Sequence, residues 1–134
     1  MIKTATVLFA AALGTLSFGV NAAAPKVPTL DAQVHCALVF GQVTREQSQK
    51  LPGAGRFPVM AGPAREFFVR TAVRTLDEKV ATLETIESYY LTRLTALQGS
   101  LANAPDPTAA LDREFAACVP QFQSVAPELT PAPR

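Results

Sequence analysis

The side chains in this 134-residue chain that could do chemistry are few: two cysteines, one histidine and scattered carboxylates. Cys36 and Cys118 could serve as nucleophiles, metal ligands or the halves of a disulfide. His35 directly precedes Cys36. On a helix neighbouring residues point about 100° apart, so the two do not form a ready thiolate–imidazole pair, and a partly exposed structural histidine is expected. There is no Cys-x-x-Cys pair for thiol exchange and no Cys-x-x-Cys-His run for haem. A zinc site would want three or four ligands from Cys, His or carboxylate, and both thiols are expected to be consumed by one another. Gly53-Ala54-Gly55 lacks the strand and the Lys-Ser/Thr context of a phosphate loop and reads as a connector. Asp77, Glu78, Glu84 and Glu87 alternate with Arg70, Arg74, Lys79 and Arg93. Glu66–Arg70 and Arg74–Glu78 stand four apart, the spacing of ion pairs on a solvated helix face. The inventory therefore predicts no catalytic residue, no metal, no cofactor and no enzyme.

The expected state of the cysteines depends on compartment. Lys3 supplies a positive start, Ala5 to Val20 carries no charge, and Val20-Asn21-Ala22 puts small residues where a signal peptidase reads them. Residues 1–22 thus read as a secretory signal peptide cleaved between Ala22 and Ala23; a cut after Ala24 would leave Pro25 at the poorly accepted next position. An uncleaved anchor needs roughly 20 apolar residues, whereas this run is shorter and diluted by Gly14, Ser17 and Gly19. No stable membrane anchor is expected after cleavage, and the expected location is periplasmic. In that oxidising compartment an even cysteine count in a small domain favours a Cys36–Cys118 disulfide. Loss of Lys3 turns 12 basic against 11 acidic side chains into 11 against 11. A neutral chain has no field to concentrate nucleic acid, so none is expected as a partner.

The elements that must position these residues read as helices. Thr29 or Asp31 can cap a first helix over about 30–50, whose Leu30, Val34, Cys36, Ala37, Val39, Phe40 and Val43 recur at helical steps. Leu51-Pro52-Gly53 stops it. Phe57, Val59 and Met60 make the following loop too apolar to be simply solvated, and it is expected to fold over one end of the helices. From Pro63 to Gln98 there is neither Gly nor, after Pro63, Pro. Val69, Val73, Leu76, Val80, Leu83, Tyr90, Leu94, Leu97 and Leu101 keep one alternating stripe, which predicts one long central helix over 63–98. Tyr89 and Tyr90 are adjacent, so only one of them faces inward. Asp106-Pro107 starts a third helix over 107–119, where Leu111, Phe115 and Cys118 step along one face until Pro120 ends it. The expected fold is all-α: a three-helix antiparallel bundle over 23–126, its first and third helices parallel, followed by a disordered Pro-rich tail over 127–134. Both cysteines lie on inward stripes, at heights that match only if the third helix shifts along the second.

Cys36-Ala37-Leu38-Val39-Phe40, the aromatic pair with its nearby arginine in Phe67-Phe68-Val69-Arg70, and Cys118 near the end form a pattern. It resembles small uncharacterised exported helical two-cysteine proteins of Gram-negative bacteria. That resemblance implies a helical periplasmic protein and brings no assigned activity. The acid-stress periplasmic chaperones of the HdeA type are similar in architecture only. The function expected is binding of another protein or an envelope component, with a chaperone-like role in envelope stress as one version. An inhibitor or immunity protein for an exported enzyme is an alternative. A second alternative is a carrier of a small apolar ligand, with Phe57, Met60, Phe67, Phe68, Phe115 and Phe122 lining a cavity.

Overall fold

The computed structural model describes residues 27–79 and 82–129. The expected signal segment, its cleavage point at Ala22–Ala23, Val80 and residues 130–134 lie outside them. Among the described residues the chain is all-α. Helix α1 (Leu30–Ser48) starts where the Thr29 hydroxyl accepts from the Ala32 N–H at 3.2 Å. Beyond its C-cap Gln49, Lys50 takes a positive φ of 52° that lets the Leu51 N–H reach the Glu46 carbonyl at 3.0 Å, the closing bond of a Schellman motif. Gly53 (φ 81°) opens a 3-10 turn, Ala54–Arg56. An extended stretch then leads to α2 (Ala61–Lys79). Gln47 secures that stretch with both ends of its amide, donating to the Pro58 carbonyl at 2.7 Å and accepting from the Met60 N–H at 3.1 Å. Phe57 and Met60 are buried beneath it, while Val59 points to solvent.

The single helix expected over 63–98 is two helices. After α2 the chain is extended at Thr82, whose hydroxyl accepts from the Thr85 N–H at 3.3 Å and caps α3 (Leu83–Ala102). Helix α4 (Pro107–Cys118) follows, with Asp106 as its cap and Pro107 in its first turn, as the sequence predicts. A short α5 (Gln121–Val125) continues beyond Pro120, and Pro127–Leu129 forms a 3-10 turn where the tail was expected to begin.

The break changes the directions of the helices. Gln33 meets Thr71 and Arg74, Phe40 meets Phe67, and Gln47 meets Met60, so α1 and α2 are antiparallel. Asp31 meets Tyr89 and Arg93, while Gln42 and Arg45 share a cleft with Gln98 and Leu101, so α3 runs with α1. Cys36 meets Cys118, and Glu46 shares that cleft with Thr108 and Leu111. The first and last long helices, expected to run the same way, therefore run in opposite directions, because the extra reversal at Thr82 adds one turn to the path.

The buried centre also shifts. Helix α1 buries Leu30, Gln33, Val34, the whole of 36–40 and Val43, most of its circumference, so it and not the longer second segment is central. Phe40 touches Phe67, Phe115 and Phe122 with ring centroids 5.0, 5.8 and 4.5 Å away. On α2 the inward face is Ala64, Phe67, Thr71 and Thr75, whereas the expected Val69 and Val73 are 48% and 52% exposed. Threonine tolerates this burial because each hydroxyl returns to its own helix: Thr71 donates to the Phe67 carbonyl at 2.7 Å and Thr75 to the Thr71 carbonyl at 2.8 Å.

Candidate functional site

The residues with chemical potential are mostly engaged in holding the fold. Cys36 and Cys118 come together with Cα atoms 5.3 Å apart and sulfurs at bonding distance, joining α1 to α4. His35 turns away from Cys36 and its Nε2 meets Glu114 Oε2 at 2.7 Å, in a shallow cleft of about 270 Å³ that Arg93 and Ser100 also line. Sequence reasoning missed Glu114 as its partner, since nothing local signals a contact 79 residues away. Of the acidic set, Glu78 pairs with Arg74 at 2.6 Å, and Glu66 pairs with Arg70 at 3.0 Å, as their spacing predicts. Asp77, Glu84 and Glu87 are exposed and are not brought together with a nucleophile or a metal-ligand set; among the described residues no group of three or more His, Cys, Asp or Glu could hold a metal ion.

Both arginines of α2 reach further than their helix. Arg74 donates to the Pro28 carbonyl at 2.7 Å and to Gln33 Oε1 at 2.8 Å, and Arg70 donates to the Val125 carbonyl at 2.9 Å and to Glu128. One arginine thus holds the segment before α1, and the other holds the segment after α5. The carboxyl of Glu128 is kept below its ordinary value by its own backbone N–H and by Arg70.

The tyrosines divide as expected. Tyr90 faces in and shares a 3.1 Å hydrogen bond with Thr75, and burial raises its phenol above the ordinary value. Tyr89 is half-buried at the edge of the core, donating to Asp31 Oδ1 at 2.6 Å, with the Arg93 guanidinium 3.9 Å above its ring. Arg93 donates to the same oxygen at 2.6 Å. The Tyr89 hydrogen bond, then that from Arg93, lowers the Asp31 carboxyl. Desolvation, then the bond to Asp31, pushes the Tyr89 phenol up to about 12.

Five of the six side chains considered as cavity lining, Phe57, Met60, Phe67, Phe115 and Phe122, are buried in the packed core. Phe57 lies against Phe115 and Phe67 against Phe122, with centroids 4.9 and 5.2 Å apart. Phe68 differs: it is 43% exposed and stands edge-on to Tyr90 at 5.2 Å. It forms one wall of an open, almost wholly apolar trough of about 400 Å³. Leu38 of α1 lies at its floor, and Leu83, Ile86, Tyr90, Leu91 and Leu94 of α3 form the other wall. Among the described residues Glu87 is the one charged side chain lining it. Leu83 and Leu91 are 78% and 60% exposed there. The sequence placed Leu83 on the inward stripe, where its position at the start of α3 leaves it open, and did not single out Leu91, which stands beside that stripe. A trough with this lining can exclude water from an apolar surface. Compared with known proteins, the chain matches no family model, no curated protein and no solved structure.

Proposed function

We propose that the mature chain, beginning at Ala23, is a non-catalytic periplasmic protein that works by binding another protein or an envelope component. Its scaffold is an antiparallel helical bundle built around α1 and closed by the Cys36–Cys118 bridge. The observation that carries this reading is the contrast between a polar inventory absorbed into internal ties and the bare apolar surface of Phe68, Leu83 and Leu91. Contiguous exposed apolar surface rimmed by polar residues is characteristic of interaction sites, whereas scattered apolar residues are not. The alternatives of an inhibitor or immunity protein are versions of the same binding role. The carrier alternative finds its support in the trough and not in the packed aromatic residues.

The test is capture from periplasmic extract with the tagged, oxidised mature protein. A partner retained at stoichiometric amount through washing is expected, and its absence under both low and physiological salt contradicts the proposal. The envelope-stress version adds an acid requirement. Asp31 and Glu128, which tie the two ends of the domain, are both carboxylates held low. Acidification below their ordinary values is expected to release both ends and to increase binding of an apolar dye, and a flat dye signal down to pH 2 removes that version.

A further inference from the structure

We infer that the trough between α2 and α3 receives a cationic amphipathic helix of a partner protein, with the helix's apolar stripe on Phe68, Leu83 and Leu91 and a lysine or arginine against Glu87. The inference rests on the binding role proposed above and names its surface and the chemistry of its occupant.

Three observations converge on it. The apolar stripe of helix α3 is covered only in part: Tyr90, Leu97 and Leu101 are buried, while Leu83 at the start of the same stripe and Leu91 beside it lie open. An apolar stripe of that kind is normally covered along its whole length. The trough is also the right length. From Leu83 to Leu94 the α3 wall spans about 16 Å at 1.5 Å per residue, roughly three turns, which suits anchors at positions i, i+3 or i+4, and i+7 of a docked helix.

Charge identifies the occupant. Asp31, Glu46, Glu66, Glu78, Asp112, Glu114 and Glu128 all lie in ion pairs. Among the described residues no ion pair involves Asp77, Glu84, Glu87 or Asp106; Asp106 caps α4, and of the other three Glu87 is the one in the trough lining, with Glu84 one turn before it. A carboxylate within an apolar lining favours a partner that brings a cation to it. A second copy docking about a two-fold axis through the trough brings Glu87 close to its own equivalent, a like-charge contact. An anionic membrane surface meets the same repulsion.

The experiment uses two synthetic helical peptides with identical leucine stripes, one with lysine and one with glutamate at its polar positions. Each is titrated into the oxidised mature protein and into its Glu87→Lys and Leu91→Asp variants. Both substitutions are on exposed positions, and intact helical circular dichroism with the bridge formed verifies the fold. The wild type is expected to prefer the lysine peptide by about tenfold, a difference of about 1.4 kcal/mol. Glu87→Lys is expected to reverse the preference, Leu91→Asp to weaken both peptides, and amide shifts to cluster at Phe68, Leu83 and Leu91. Equal affinity for the two peptides overturns the inference, as does a preference that Glu87→Lys leaves unchanged. A dimer in sedimentation that Leu91→Asp converts to monomer assigns the trough to a second copy and overturns it too, and so does stronger binding to anionic phosphatidylglycerol vesicles than to the lysine peptide. If a stoichiometric periplasmic partner is captured equally well by Leu91→Asp, the trough is not its site, yet the binding role stands.

Discussion

Asp31 receives both the Tyr89 hydroxyl and the Arg93 guanidinium on one oxygen, and so pins the start of α1 to the middle of α3. Its pKa is lower in the folded chain than the ordinary 3.8. A group with a depressed folded value contributes stability above its unfolded value and loses it as pH falls through the folded one. Asp31→Asn is therefore expected to flatten the acid limb of the urea midpoint below pH 3.8 and to lower the midpoint at neutral pH; an unchanged acid limb contradicts the tie. Tyr89 provides the alkaline counterpart. Its folded value near 12 exceeds the ordinary 10.0, so its contribution is complete below 10 and disappears as pH rises through 12. With two tyrosines in the chain, both raised, tyrosinate absorbance is expected to develop above the ordinary value while the fold persists, and Tyr89→Phe removes the step near 12. At this scale the sequence was informative where partners are local. The four-residue ion pairs of α2 could be read from spacing, and adjacency alone showed that only one of Tyr89 and Tyr90 could be buried. His35–Glu114 and Asp31–Tyr89 join residues 79 and 58 apart, and only the path of the chain creates such pairs.

The break before α3 gives a prediction with opposite signs for the two architectures. If Thr82 caps α3, Thr82→Ala removes the bond to the Thr85 N–H and is expected to cost about 1 kcal/mol. If the chain were one helix there, the same exposed change would stabilise it by several tenths of a kcal/mol through propensity, an estimate of about 0.5 kcal/mol. Chemical denaturation of the two proteins distinguishes them. Phe40→Ala, which empties the centre of the aromatic cluster, is expected to cost about 3–5 kcal/mol. The legible elements were those with strong punctuation: Thr29 before α1, Pro52 and Gly53 after it, and Asp106-Pro107 before α4. The break at Thr82 was not legible because its signal is a lone threonine in a run without Gly or Pro whose apolar spacing continues across it. The inward face of α2 was misassigned for a related reason. Val69 and Val73 matched the stripe better than Thr71 and Thr75, yet the threonines can be buried by bonding back to their own helix.

For the whole molecule, the bridge closes a loop with a sequence separation of 82, worth about 4–5 kcal/mol in the chain-entropy model. That is comparable with the net stability of an ordinary domain, about 5–15 kcal/mol. Reduction, or paired Cys36→Ser and Cys118→Ser changes, is expected to shift the urea midpoint by a corresponding amount, and a shift below about 1 kcal/mol contradicts the estimate. The all-α class and the cysteine pair could be read from periodicity and count, while the order of helix directions could not, since one missed reversal inverts everything after it. The proposal of an exported, oxidised binding protein ties both thiols into the bridge between α1 and α4. Its most direct test is intact mass of the chain isolated from the periplasm, under native and denaturing conditions, with thiol alkylation before and after reduction. The expected result is a chain starting at Ala23, lighter than its composition by two hydrogens, inert to alkylation until reduced, and carrying a stoichiometric partner under native conditions. A chain starting at Met1, thiols that alkylate without reductant, or a bare chain under native conditions contradicts it.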